Sequence, residues 1–218
     1  MNILEDAAGR AELEALGPRS VPVLARGKGF TFAQSTKQIV DFLGLHERSA
    51  PELSPHELAR RLDKFMDAAL ELIPQMPQER LGTHVPGRPR SYRTLAFHLF
   101  RVVDAFLEAS DGMTLERRAF AEEPPADADS DGLLGHGAAV RRRFDEWWRT
   151  GDTSPERMLP TYYGPQTLHE LLERTTWHCG QHVRQWMMLL EKEGVSFSRP
   201  LGSGDFAQLP MPQNVWDG

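Results

Sequence analysis

The sequence predicts a mainly α protein, a four-helix bundle preceded by a small N-terminal α+β unit of helix, strand, strand and helix. Three observations predict it. Ser54–Ile73, Ser91–Ala109, Gly132–Thr150 and Thr167–Gly194 repeat apolar residues at three-and-four spacing, with no proline beyond the first turn. The stretches between them collect prolines and glycines, as connections do. Strand-like runs occur only near the start, so the chain divides into a unit of residues 1–45 and a bundle of residues 46–218 with a docked C-terminal tail.

Composition narrows the function. A chain of 218 residues that is 40% hydrophobic can bury an ample core. A formal net charge of −6 argues against a nucleic-acid binder. The single cysteine, Cys179, forms no intrachain disulfide and fits a reducing compartment. No apolar run approaches the roughly 20 residues that cross a membrane, and Met1–Gly17 lacks the basic and apolar regions of a signal peptide. The expectation is a cytoplasmic protein with a small-molecule substrate and no nucleic-acid or membrane partner.

In chain order, Leu4 to Leu16 reads as a short helix ended by Gly17-Pro18. Val21 to Ala25 and Phe30 to Phe32 read as strands about a turn at Gly27-Lys28-Gly29. Ser35 to Leu43 reads as a second helix closed by Gly44. The unit is short for an independent core. A lone hairpin is marginal in water and leaves edges unpaired, so this unit is expected to lean on the bundle or to pair with a second copy as a homodimer.

After the polar linker 46–54, Ser54-Pro55-His56-Glu57 is a helix start with serine at the N-cap, proline at N1 and a glutamate placed to close a capping box. Leu58, Leu62, Phe65, Met66, Ala69, Leu70 and Ile73 form the stripe of this first bundle helix. Residues 74–90 read as a loop containing a solvated His84. The second helix buries Leu95, Leu99, Val102, Val103 and Phe106, and His98 borders that face. Residues 111–131 are acidic and expected on a solvated surface. The third helix carries Leu133, Val140, Phe144, Trp147 and Trp148, with His136 and the Arg141–Arg143 run expected in solvent. Tyr162 and Tyr163 lie in the next connection, placed to reach over the mouth of a site. The tail after Gly194 is rich in Pro and Gly. Its Phe206, Leu209, Met211, Val215 and Trp216 imply docking onto the bundle.

The last helix organises the rest. Leu168, Leu171, Leu172, Thr175, Cys179, His182, Trp186, Leu189 and Leu190 share one face, and His178 lies on that side. Four residues advance a helix by about 6 Å and overturn it by about 40°, so His178 and His182 can converge on one point. Such a pair is ordinarily surface or satisfied core. A third inward histidine, His98, makes a shared metal ion the sharper account, against a core hydrogen bond as the plainer one. Cys179 reads as a nearby ligand, a nucleophile or a small core residue. Burial is common for free cysteine, which favours the core.

Two resemblances follow. RSVPVLARGKGFTFAQSTKQIVDFLG, within residues 5–44, resembles the second half of a glutaredoxin or thioredoxin-type fold. There Val21-Pro22 matches the family's Val–cis-Pro. The Cys-x-x-Cys helix and its preceding strand are missing, so dithiol chemistry is not implied. A remnant serving as packing or dimer surface is, or docking of a thiol peptide beside Val21 and Pro22. Residues 55–193, with His98 on the second helix and His178-Cys-Gly-Gln-His182-Val-Arg-Gln185 on the last, resemble the DinB/YfiT-like superfamily of metal-binding four-helix bundles. The resemblance implies His98, His178 and His182 as metal ligands, with Gln185 as the motif glutamine. Val183-Arg184 departs from the common Arg-Gly.

Three imidazoles leave a coordination position open, as catalytic sites do. Zinc is the default, and nickel, iron or manganese also suit an all-imidazole set. Thiol-dependent transferases belong to the superfamily, so the resemblance implies an S-transferase or hydrolase acting on small molecules with a low-molecular-weight thiol. Gln185 and Cys179 then support the ligands, and no residue is assigned as catalytic. The alternative is a non-catalytic, metal-stabilised bundle serving as a binding or stress-response module.

Overall fold

The computed structural model describes residues 6–18, 21–46 and 50–216. It is mainly α, with seven α-helices among the described residues, and it divides into two compact units, Met1–Ala50 and Pro51–Gly218.

The first unit is a helix, a hairpin and a helix. Helix α1, Ala7–Leu16, starts where Asp6 accepts from Gly9 N at 3.0 Å and stops at Gly17, whose φ of 90° suits glycine. Leu4 and Glu5, expected in this helix, lie outside the described residues. Strands β1, Val23–Arg26, and β2, Gly29–Phe32, pair antiparallel with Arg26 opposite Gly29. The strand expected from Val21 begins at Val23 instead. The Val21–Pro22 bond is cis, and proline supplies no N–H to a ladder. Ser35 caps helix α2, Thr36–Leu43, whose Phe42 ring lies beside Gly29.

The second unit holds four packed helices: α3 (Pro55–Leu72), α4 (Tyr92–Ser110), α5 (Ser130–Thr150) and α6 (Leu168–Lys192). Around the bundle they run α3, α6, α4, α5, so α4 and α6 are neighbours. Each starts at a side-chain cap: Ser54, Ser91, Asp129 and Thr167. Glu57 does not close the expected capping box, because its carboxylate is held by Arg60 at 2.7 Å and Arg61 at 2.8 Å. The reciprocal box forms at Thr167 and Glu170. The core is the apolar stripe of each helix, and Leu58, Leu62, Phe65, Phe106, Phe144 and Leu190 are fully enclosed. Trp186 crosses it, donating its indole N–H to Leu72 O at 3.1 Å.

The connections are more structured than their composition suggested. Residues 74–90 include short 3₁₀ turns at Ile73–Gln75 and Gln78–Arg80 and bury Met76, Leu81 and Val85. The acidic stretch 111–131 is solvated only in part. Leu115 and Ala119 are buried, and a 3₁₀ turn at Arg117–Phe120 turns Phe120 inward. Strands β3, Met158–Leu159, and β4, Gln166–Thr167, form a two-residue ladder before α6. Two solvent expectations on α5 are only partly met. His136 stacks on Phe97 at 4.6 Å, and within the Arg141–Arg143 run Arg142 and Arg143 are exposed as expected while Arg141 lies among Asp63, Asp67 and Asp145. In both cases a neighbouring helix, α4 for Phe97 and α3 for Asp63 and Asp67, supplies a partner that the local sequence of α5 does not show. Helix α7, Ser203–Phe206, anchors the tail. Phe206 stacks on Phe65 at 5.3 Å, and Arg61 donates to the carbonyls of Asp205 and Ala207. No helix among the described residues is long and apolar enough to cross a membrane.

Candidate metal centre

Adjacency of α4 and α6 brings three imidazoles together. Ring centroids are 4.8 Å apart for His98 and His182, 5.5 Å for His98 and His178, and 4.7 Å for His178 and His182. One ring nitrogen from each lies within 4.8 Å of the other two. Among the described residues this is the group of His, Cys, Asp or Glu side chains whose donor atoms converge. His98 and His182 are buried, and His178 keeps a partly exposed edge.

His182 is fixed by its neighbour one turn on. Its Nδ1–H donates to Gln185 Oε1 at 2.7 Å, which leaves Nε2 as the bare acceptor. His182 Nε2 and His178 Nδ1 are both buried without a hydrogen-bond partner. Leaving such an atom unsatisfied costs about 1–3 kcal/mol. A cation at the centre of the cluster would satisfy both, and imidazoles are the donors that zinc, nickel, iron and manganese accept. The residues present therefore fit a divalent ion.

Electrostatics keep the rings neutral, the state that ligation needs. Burial holds His98 and His178 well below the usual histidine range, and the nearby His182, with Arg90 and Arg174, adds to the effect. His182 is pushed down to about 4 by burial, against the opposing bond to Gln185. Nearby guanidinium groups add to the lowering: Arg90 acts on all three rings, Arg174 on His98 and His178, and Arg101 on His98.

Aromatic rings wall the cluster. Phe120 lies 6.2 Å from His98 and 5.9 Å from His178, Trp177 stacks on His178 at 5.5 Å, and Tyr162 meets Phe120 at 6.4 Å. The Arg174 guanidinium lies over Phe120 and Tyr163 at 5.2 and 5.3 Å.

Of the residues singled out from sequence, the structure brings together His98, His178, His182 and Gln185. Cys179 is fully buried on α6 outside the converging donors, and burial raises its thiol far above the thiolate range, as a core residue requires. Val21 and Pro22 are exposed in the N-terminal unit. Phe120, Arg90 and Arg174 escaped sequence reasoning. The apolar Leu115, Ala119 and Phe120 in an otherwise polar stretch were the available signal. Compared with known proteins, the chain matches no family model and no curated sequence.

Proposed function

We propose that this chain is a metal-dependent enzyme of the DinB/YfiT-like kind, acting on small molecules by thiol transfer or hydrolysis. The observation that carries the reading is the pair of buried, unpartnered ring nitrogens, His178 Nδ1 and His182 Nε2, set against a third imidazole from the neighbouring helix. His98, His178 and His182 would hold the ion, zinc by default. When bound, such an ion favours thiolate over thiol or lowers the pKa of a coordinated water toward about 7. Gln185 holds the His182 ring in its ligating tautomer. Phe120 and Trp177 pack against His178 at the cluster. The exposed edge of His178 supports an open, catalytic centre over a sealed one. Docking of a low-molecular-weight thiol at the exposed Val21–Pro22, and a homodimer formed through the N-terminal hairpin, belong to the same reading.

The near-complete burial of His98, 3% exposed, and His182, 7% exposed, favours a second reading, a metal-stabilised bundle without catalysis. Metal analysis followed by a screen of small thiols with electrophilic acceptors separates the two. The expected result is about one divalent ion per chain, lost in His178→Ala and His182→Ala, with thiol conjugation abolished in both. Stoichiometric metal in the double variant rejects the centre. Bound metal without turnover, or a conjugation rate indifferent to His178→Ala, leaves the second reading.

A further inference from the structure

The C-terminal tail reaches the histidine cluster through its main chain. The Val215 carbonyl accepts from Gln181 Nε2 at 2.6 Å and from Gln185 Nε2 at 3.0 Å. Gln181 Nε2 also lies 3.3 Å from Asn214 O. Arg184 Nη1 donates to Gln181 Oε1 at 3.0 Å and to Pro212 O at 3.1 Å. These three side chains lie on α6, and Gln185 Oε1 is the acceptor for His182 Nδ1–H. One continuous run of hydrogen bonds therefore joins the backbone of residues 212–215 to a histidine of the cluster.

The direction of these bonds matters. A glutamine amide has a donor end and an acceptor end of nearly equal shape. With a carbonyl fixed on one side, only Nε2 can face it, which turns Oε1 toward His182. An Oε1 acceptor selects the Nδ1–H tautomer, and that tautomer leaves Nε2 with its lone pair free. Without the carbonyl, Gln185 can flip and offer a donor instead. The imidazole then takes its proton on Nε2, and its ligating lone pair moves to the wrong nitrogen.

We propose that the C-terminal segment Pro212–Trp216 is a positioning element of the metal centre, whose Val215 carbonyl, held by Gln181 and anchored beside Arg184, sets the flip of Gln185 and so the tautomer of His182. The inference rests on the metal reading above. Linkage makes the effect reciprocal: an ion at the cluster holds the tail more firmly.

Three proteins test it: the full chain, a chain ending at Met211, and Gln181→Met, which keeps the side-chain length but removes the amide. Zinc affinity is measured by chelator competition, helix content by circular dichroism, and the His182 tautomer from ring nitrogen shifts in metal-free protein at neutral pH. The expected result is unchanged helix content, a shift from one tautomer to a mixture, and zinc affinity lowered about ten-fold, the lower end for loss of a group that orients a ligand. In the full chain, zinc slows amide exchange at residues 213–216. Should the shortened chain lose helix content, Gln181→Met decides. Affinity within two-fold of the full chain, with His182 still in one tautomer, overturns the tail's role and leaves the metal reading standing. A full chain that binds no zinc overturns both.

Discussion

His182 and Gln185 are joined by a 2.7 Å hydrogen bond one turn apart on α6, and that bond decides which nitrogen of His182 carries a lone pair. Gln185→Leu is expected to lower zinc affinity about 10–100-fold while leaving the fold intact. The check is chelator competition beside a thermal melt of the metal-free protein. Equal affinity in the variant would show that ring orientation comes from packing alone.

A pH-dependent stability is expected from Glu173. Burial, with Glu52 and Glu170 nearby, pushes its carboxyl up to about 7. Between its unfolded value, near 4.5, and about 7, the folded state binds the extra proton, so stability falls as pH rises through that window. Glu173→Gln removes this loss. Because the side chain is partly exposed and solvent screens it, the expected gain is only about 1 kcal/mol at pH 8 and none at pH 4. Denaturant titrations at the two pH values measure it, and an equal gain at both would assign the effect to packing.

Gly180 lies between the two histidines of α6 where Phe65 of α3 presses in. A Cβ there would sit 2.7 Å from the Phe65 ring. Overpacking of this kind costs about 1–3 kcal/mol, offset by roughly 1 kcal/mol of improved helix propensity. Gly180→Ala is expected to destabilise the bundle by up to about 2 kcal/mol on this balance and to weaken metal binding through the displaced helix. Urea unfolding gives the first quantity, and an unchanged midpoint would mean that Phe65 gives way freely.

The hairpin of β1 and β2 is a two-stranded sheet, with no third strand on it among the described residues. A chain of residues 50–218 is therefore expected to differ from the full protein in the number of copies per particle in solution or in melting temperature. Light scattering and calorimetry on both chains check this. A soluble shortened chain with the same number of copies per particle and the same melt would remove any role for the N-terminal unit in assembly or stability.

The helices were legible because caps and apolar stripes are local. Thr167 and Glu170 announce the start of α6, and its period places His178 beside His182. His98 was legible as inward, and its meeting with α6 required only that the two helices be neighbours. What stayed hidden lacks a local signature. Every residue has a carbonyl, so nothing in Val215 itself marks it as the partner of Gln185. Phe120 looked like part of an acidic surface because its burial depends on a turn that folds back over α4 and α6. Arg141 looked solvated because its aspartates, Asp63 and Asp67, belong to another helix.

The histidines stand on helices, whereas Phe120, beside the cluster, and Tyr162, packed on Phe120, stand on connections. Each can therefore change on its own terms. A different residue at the exposed positions of 111–129 or 151–165 alters the surroundings of the cluster while the helix packing that sets the histidines in place is kept, since connections tolerate change where packed helices do not. If the proposed function holds, the same bundle could pass from one small molecule to another by rewriting its loops, and that history would be visible as constant helices under variable connections.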